Sequence, residues 1–308
     1  MRFLLLVFCG WVLSTVALAN YVLTPKKIAA NTYLLEGSTD NFSKENGGNI
    51  VNVAFIVTNA GVVVIDTGPS LAYGKALRAA IANVTDQPIA QVFLTHHHPD
   101  HALGNQAFAD VPIASLAGTQ KLLEEQGDHM AENMYRTVGD WMRGTEVVLP
   151  TQIVEPGVVT IGEHSLRLLA LNGHTGADLA ILDERTGVLF AGDLVFYQRA
   201  LATPNTSSLS AWLADVNDLQ AMPWKIVVPG HGPLATDDKP FVQMQDYLTW
   251  LDTTLREAAQ QGMDMNQVLR LPIPERFASI SLTRYELVRT VSHLYPHYES
   301  EQWQRVDR

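Results

Sequence analysis

The segment Thr95-His96-His97-His98-Pro99-Asp100-His101 sets three histidines and a carboxylate in the pattern HxHxDH, directly after the apolar run Gln91-Val92-Phe93-Leu94. That run reads as a buried strand, so the cluster lies where a strand gives way to a loop and then a helix. At an extended strand end, residues two apart point the same way. His96 and His98 can therefore address one ion while His97 points elsewhere. Pro99 imposes a turn that aims Asp100 and His101 away from the first pair, so one segment can serve two ions side by side. Imidazole nitrogen with carboxylate oxygen suits zinc, and after it iron or manganese. The bland alternative is a polar loop that happens to be rich in histidine. Four potential ligands in six positions beside a buried strand argue against it.

Three further turns carry ligand chemistry. Gly173-His174-Thr175-Gly176-Ala177-Asp178 follows a strand ending at Leu171. Gly192-Asp193 follows Val188-Leu189-Phe190-Ala191, and Gly230-His231-Gly232 follows Lys225-Ile226-Val227-Val228-Pro229. Each puts one His or Asp at the carboxyl end of an apolar strand, beside glycine that lets backbone approach closely. One such turn alone is weak, since a lone histidine beside a strand is more often structural. Together with His96, His98, Asp100 and His101, they make seven nitrogen or oxygen ligands at strand ends. That number serves two zinc ions if one carboxylate bridges them and water completes the shells. Asp66 ends the run Gly61-Val62-Val63-Val64-Ile65 and needs a partner as a carboxylate at the core's edge; holding a metal ligand or a metal-bound water would supply one.

The chemistry follows from the ions. Two zinc ions sharing a water lower its pKa toward about 7 and give hydroxide at neutral pH. Hydroxide bridging the metals would attack an acyl carbonyl, or less readily a phosphoryl centre, with the developing oxyanion stabilised by metal. Asp66 and Asp100 are the catalytic candidates, Asp66 as an orienting group and Asp100 as a proton acceptor when the intermediate collapses.

The elements that must position these groups are read from the remaining pattern. Residues 1–19 carry Arg2, a long apolar run and Ala17-Leu18-Ala19, a small-x-small cleavage pattern, and are read as a signal peptide. Cleavage near Ala19 removes Cys9, the single cysteine, so the expected periplasmic or secreted protein is held by its core and by metal, with no stable membrane anchor. With 47% hydrophobic and 17% charged residues the chain can bury a large core, and a net charge of −11 argues against nucleic-acid partners. Strands are expected over residues 28–35, 50–58, 61–65, 111–114, 152–155, 158–161, 166–171, 179–183, 188–191 and 225–229. Helices are expected over 70–84, from the histidine cluster through 109, over 118–126 and 130–142, and over 239–261 and 283–295. The polar connector 36–49 reads equally as a mobile loop over the site or a plain hairpin. The Met- and aromatic-bearing helices of 118–142 read as core, or as the roof of a pocket.

The ordered set Asp66-Thr67-Gly68, His96-x-His98-x-Asp100-His101, His174, Asp193, His231 resembles the metallo-β-lactamase superfamily over about residues 28–235. The resemblance implies an α/β fold, the αββα sandwich, over residues 20–235, with a C-terminal helical extension over 236–308 packed on it. It implies that His96, His98 and His174 hold the first metal and Asp100, His101 and His231 the second, with Asp193 bridging and Asp66 orienting. The leader, residues 41–49 and residues 138–146 resemble more narrowly the exported quinoprotein relay system zinc metallohydrolases, which implies a link to a quinoprotein system.

The departures narrow the function. Many zinc β-lactamases carry cysteine where Asp193 stands, so a complete His/Asp set resembles glyoxalase-II-type thioesterases and lactonases instead. The expectation is an exported dinuclear zinc hydrolase cleaving an ester, thioester, lactone or amide bond of a small-molecule substrate. The alternatives are β-lactamase activity, an iron-dependent sulfur oxidoreductase, and a non-catalytic quinone-cofactor-binding protein of a periplasmic relay. Tyr197 and Arg199, just past Asp193, are candidate substrate contacts. His129 is expected on the surface and His164 facing solvent in a turn, with His293 and His297 structural.

Overall fold

The computed structural model describes residues 20–302, so the leader and Cys9 lie outside the described residues. Two sheets face each other. The first has seven strands in chain order: β1 (Lys26–Ala29), β2 (Thr32–Leu35), β3 (Val53–Thr58), β4 (Gly61–Ile65), β5 (Ile89–Phe93), β6 (Ile113–Ser115) and β7 (Gln152–Ile153). β1 to β4 pair antiparallel and β4 to β7 parallel. The second has five strands in the order β12 (Ile226–His231), β11 (Val188–Phe196), β10 (Asp178–Asp183), β9 (His164–Leu171) and β8 (Gly157–Ile161), with only β11 and β12 parallel.

The near-continuous apolar strands are explained by what covers each face. Ala54, Ile56, Val63, Ile65 and Phe93 point to the space between the sheets and meet Leu179, Ile181, Val188 and Phe190 there. Their neighbours Val53, Phe55, Val62, Val64 and Val92 point outward under α1 (Leu71–Ala82), whose Tyr73, Leu77 and Ile81 cover them. Ser70 caps that helix by accepting from the Tyr73 amide at 3.2 Å. α2 (Pro99–Ala102) is a single turn bearing two ligand residues. α3 (Ala117–Val138) follows β6, and its Leu123 joins this outer layer.

On the outer face of the second sheet, Ala180, Leu182, Leu189 and Ala191 share one core with α4 (Leu209–Gln220) and α5 (Lys239–Gln260). Two short helices, α6 (Met265–Val268) and α7 (Glu275–Ala278), lead to α8 (Thr283–Gln302), whose Leu287, Val291 and Leu294 close the same core. The architecture is helix, sheet, sheet, helix, with the C-terminal helices packed on the second sheet. No described helix is long and apolar enough to cross a membrane.

Several boundaries differ from expectation for local reasons. Residues 28–35 form two strands, because Asn31 takes φ 55° and turns the chain between them. The strand expected from residue 50 begins at Val53. The helix expected from the histidine cluster through 109 is the single turn α2 and a 3-10 turn, Asn105–Phe108. Residues 117–138 form one helix where two were expected: Gly127 does not break it but lets Val147 pack, since a Cβ there would lie 2.8 Å from the Val147 Cγ1. α4 was not expected at all.

Candidate metal centre

The candidate ligands gather at or just past the carboxyl ends of strands, with Asp193 the exception. β4 ends into Asp66, β5 into His96 and His98, and α2 carries Asp100 and His101. His174 follows β9, and His231 ends β12. Asp193 lies inside β11, although a turn after residue 191 was expected. Gly192 takes φ 52° and shifts the ladder with β12, a bulge that re-aims the next side chain into the site.

The ligand atoms form two groups, His96, His98, His174 and Asp193 in one and Asp100, His101 and His231 in the other, each with atoms within 4.8 Å of one another. Asp193 joins them. Its Oδ2 faces His174 Nε2 at 3.4 Å and His96 Nε2 at 3.7 Å, while its Oδ1 faces His101 Nε2 at 3.1 Å and His231 Nε2 at 3.3 Å. Asp100 Oδ2 lies 3.3 Å from His231 Nε2 and 3.8 Å from His101 Nε2. The His98 Nδ1 and His174 Nε2 are 3.1 Å apart.

These residues fit a metal pair. His96 Nε2, His101 Nε2 and Asp193 Oδ1 are buried and have no hydrogen-bond partner, an arrangement too costly to keep unless a cation takes the lone pairs. The tautomers agree. The His231 Nδ1–H donates to the Ile50 carbonyl at 2.8 Å, and the His101 Nδ1–H donates to Asp66 Oδ2 at 2.8 Å, so each Nε2 lone pair points inward. The Thr95 hydroxyl donates to Asp66 Oδ2 at 2.9 Å and so is left to accept from His96 Nδ1 at 3.0 Å. Asp66 thereby orients His101 directly and His96 through Thr95. The Thr95 amide donates to the other Asp66 oxygen at 2.8 Å.

Charge follows position. Burial, with the His101 charge beside it, pushes His96 well below the usual imidazole range, and burial with His174 does the same to His98. Burial also opposes charge on His101, but Asp193, Asp66 and Asp100 overcome it and hold that imidazole well above its ordinary value. His231 is raised in the same way, chiefly by Asp193 against burial. Burial raises Asp193, yet His231, His101 and His96 outweigh it and hold the carboxyl well below its usual range.

Residues that the sequence reading passed over hold the loops. Asp178 accepts from the His174 and Thr175 amides at 3.1 and 2.9 Å, and Ser207 Oγ donates to the His174 carbonyl at 2.7 Å. Asp215, on α4, accepts from the Asn172 and Gly173 amides at 2.9 and 2.7 Å. The spacing of Leu209, Trp212, Leu213, Val216 and Leu219 after Ser208 was the available signal for that helix. Gly230 lets β12 pass Asp193: a Cβ there would fall 2.0 Å from Asp193 Oδ1.

A cavity of about 250 Å³ opens onto Asp100, Asp193, His98 and His231. Gln126, Met130, Asn133, Met134 and Thr137 supply one wall, the spacing of a single face of α3. Asn41 and Phe42 of the polar connector supply another, and the connector is tied down by Tyr21 Oη on the Gly47 carbonyl and Trp141 Nε1 on the Lys44 carbonyl. Of the two candidate substrate contacts, Arg199 lines this cavity. Tyr197 does not; it lines an open surface groove with Lys239 and Gln243. Gln198 between them takes φ 56°, which breaks the alternation and sends the two side chains apart. His129 is exposed and bonded to Asn133, and His293 is tied to the Thr203 carbonyl. His164 does not face solvent as expected; it is buried, with its Nδ1 2.9 Å from Asp183 Oδ2.

The comparisons with known proteins point to one family. A family model described as the metallo-beta-lactamase superfamily matches residues 46–231. The chain is 25% identical over 200 residues to a beta-lactamase-like protein 2 homolog of Caenorhabditis elegans, covering 64% of this chain and 60% of that one. It is 27% identical over 170 residues to an acyl-coenzyme A thioesterase of Bos taurus, covering 48% of this chain and 60% of the relative. The chain thus spans about 60% of the length of these curated relatives. Among solved structures, a metallo-beta-lactamase from Pontibacter korlensis superposes with a TM-score of 0.61 at 23% identity, over 74% of this chain and 99% of that one. With the family match covering the strands that carry all seven ligands, the chain belongs to the metallo-beta-lactamase superfamily.

Proposed function

We propose that this chain is an exported dinuclear zinc hydrolase that cleaves an ester, thioester, lactone or amide bond. The observation that carries the reading is Asp193, whose two oxygens face two separate histidine groups across a buried gap. Two divalent cations held by the seven residues would supply acidified water and an electrophile for a carbonyl oxygen. The chain's own residues do the rest. Asp66 and Ile50 hold the imidazoles in the tautomer that leaves Nε2 free. Phe42, Met130 and Met134 line the cavity and offer an apolar seat for an acyl chain from which water is displaced. Asp100 reaches the same cavity and is the carboxylate placed to accept a proton as the acyl bond breaks. No serine or cysteine lines the cavity among the described residues, which favours water over a protein nucleophile.

The thioesterase name carried by one relative supports acyl transfer as the reaction class. Export, zinc as the native metal and the narrower likeness to quinoprotein relay metallohydrolases belong to the same proposal, supported by the leader pattern, the His/Asp donor set and residues 41–49. The test is metal analysis of protein purified from the periplasm, followed by a panel of esters, thioesters, lactones and β-lactams. About two zinc ions per chain with turnover of an acyl substrate is the expected result. One iron per chain, or zinc-loaded protein inert on the whole panel, overturns it.

A further inference from the structure

Arg199 and Arg289 line the cavity and are joined behind it by Glu286, and none of the three belongs to the candidate ligand groups. Arg199 is 3% exposed; its Nη2 donates to Glu286 Oε1 at 3.2 Å and its Nη1 to the Ala200 carbonyl at 2.9 Å. Its Nε–H is buried and has no partner. Glu286, fully buried on α8, accepts from Arg289 Nη1 at 3.3 Å through its other oxygen. Arg289 is 40% exposed on its side chain and lines the cavity beside Arg199. One carboxylate thus serves two guanidiniums and leaves a net positive charge on that wall.

The guanidinium of Arg199 also lies 5.7 Å from the centre of the Phe196 ring, and that ring stacks on His231 at 5.0 Å. The positive wall therefore begins one aromatic ring away from the metal ligands. Burial raises the Glu286 carboxyl, and the Arg199 and Arg289 charges pull against it. The trio leaves guanidinium donors unused on the cavity side. A guanidinium has five donors in a fixed fork, and Arg199 uses two of its groups while Nε stays unpaired. Arg289, on the cavity rim, has most of its fork free. Two such forks suit a planar or tetrahedral oxyanion. The surrounding protein is strongly acidic, at −11 overall, so a local positive wall selects for anions rather than following the general field.

We infer that Arg199 and Arg289 form an anion subsite, and that the substrate is a compact acyl compound carrying a carboxylate at the end remote from the scissile bond. The inference rests on the hydrolase reading, because it takes the metal end of the cavity as the reacting end. A phosphoryl group would meet the same chemistry, so the test separates the two.

Binding is measured without turnover, by calorimetry on the zinc-loaded protein, using three unreactive ketones: levulinate, the matching keto phosphonate and neutral methyl propyl ketone. Levulinate is expected to bind roughly tenfold to a hundredfold more tightly than the neutral ketone, the range of a charge-assisted hydrogen-bond pair. Arg289→Gln is expected to abolish that preference while leaving the neutral ketone unchanged, which also shows the variant folded; Arg289→Lys should restore part of it. A stronger preference for the phosphonate keeps the subsite and replaces the carboxylate by a phosphoryl group. Equal affinity for all three, or a levulinate preference that survives Arg289→Gln, overturns the subsite. Because no bond is broken, a failed substrate panel leaves this result intact and counts against the hydrolase reading alone.

Discussion

Replacing Asp66 tests whether the imidazoles are held in a set tautomer. The carboxylate accepts three hydrogen bonds, from the Thr95 amide, the Thr95 hydroxyl and the His101 Nδ1–H, all at 2.8 to 2.9 Å. In Asp66→Asn, one oxygen can keep the Thr95 amide, and the new NH2 then faces His101 Nδ1. The imidazole must present a lone pair there, which moves its proton to Nε2, the atom that faces Asp193. The variant keeps the shape and still tolerates the positive φ of 60° at this position. Loss of such an orienting partner costs roughly 10- to 100-fold in metal affinity, about 1.4 to 2.7 kcal/mol.

Asp66→Ala behaves differently. It leaves the Thr95 amide without a partner, at roughly 1–3 kcal/mol, leaves His101 Nδ1 only the Thr95 hydroxyl at 3.2 Å, and adds strain at the positive φ. His101, however, remains free to choose its tautomer. The asparagine variant should therefore lose more metal affinity, and the alanine variant more stability. Competition with a chromophoric chelator reads the affinities, and urea unfolding of chelator-treated protein reads the stability. In Asp66→Asn the weaker ion should be lost first, giving about one zinc per chain after dialysis. Wild-type affinity for both ions in that variant would refute the tautomer argument.

Three further outcomes are expected. Gly230→Ala puts a methyl group 2.0 Å from Asp193 Oδ1, so it should displace the carboxylate that joins the two groups and cost about 1–3 kcal/mol by overpacking, seen as lower metal content and a lower unfolding midpoint. Chelation should lower the melting temperature of purified protein, because an ion present at a hundred times its Kd stabilises the fold by about 2.7 kcal/mol; calorimetric scans with and without chelator check it. Burial pushes the Tyr21 hydroxyl up to about 12, with the Ser70 hydrogen bond opposing, from an ordinary 10. The folded chain then holds a proton that the unfolded chain releases above pH 10, so stability present below that pH is lost as pH rises toward 12, by about 3 kcal/mol. Urea unfolding at pH 8 and 11 should show a smaller alkaline loss in Tyr21→Phe than in the native chain, and equal losses would refute it.

The residues that converge on the candidate metal centre were legible because their signal is local. HxHxDH sits on one strand end, and period-two alternation there selects His96 and His98 without knowledge of the partner strands. The unbroken apolar runs Val53 to Ile56 and Val62 to Ile65 marked strands buried on both faces in the same local way. What was not legible is whatever depends on chain segments meeting. Asp193 reads as a turn residue from Gly192, yet only pairing with β12 shows a bulge inside a longer strand. Tyr197 and Arg199 look equivalent in sequence, and a single left-handed residue separates them. Glu286 and Arg289 carry no motif, and α8 reads as an amphipathic helix whichever face it turns to the cavity.

That division has a physical consequence for how such a chain can change function. The seven candidate ligands lie on or beside strands whose positions are set by the inter-sheet core, so altering one perturbs the others through Asp193. The cavity walls come from elsewhere: α3, the connector 36–49 and α8 each contribute side chains without contributing ligands. Substitutions on these walls can exchange substrates while the hydrogen bonds from Asp66 and Ile50 that orient the imidazoles stay intact. If so, double substitutions pairing Asp66→Asn with Arg289→Gln should have additive free-energy effects on metal affinity and ligand binding, because the two sites share no partner. Coupling between them would place α8 inside the metal-holding network and move Arg199 from recognition of the substrate to support of His231.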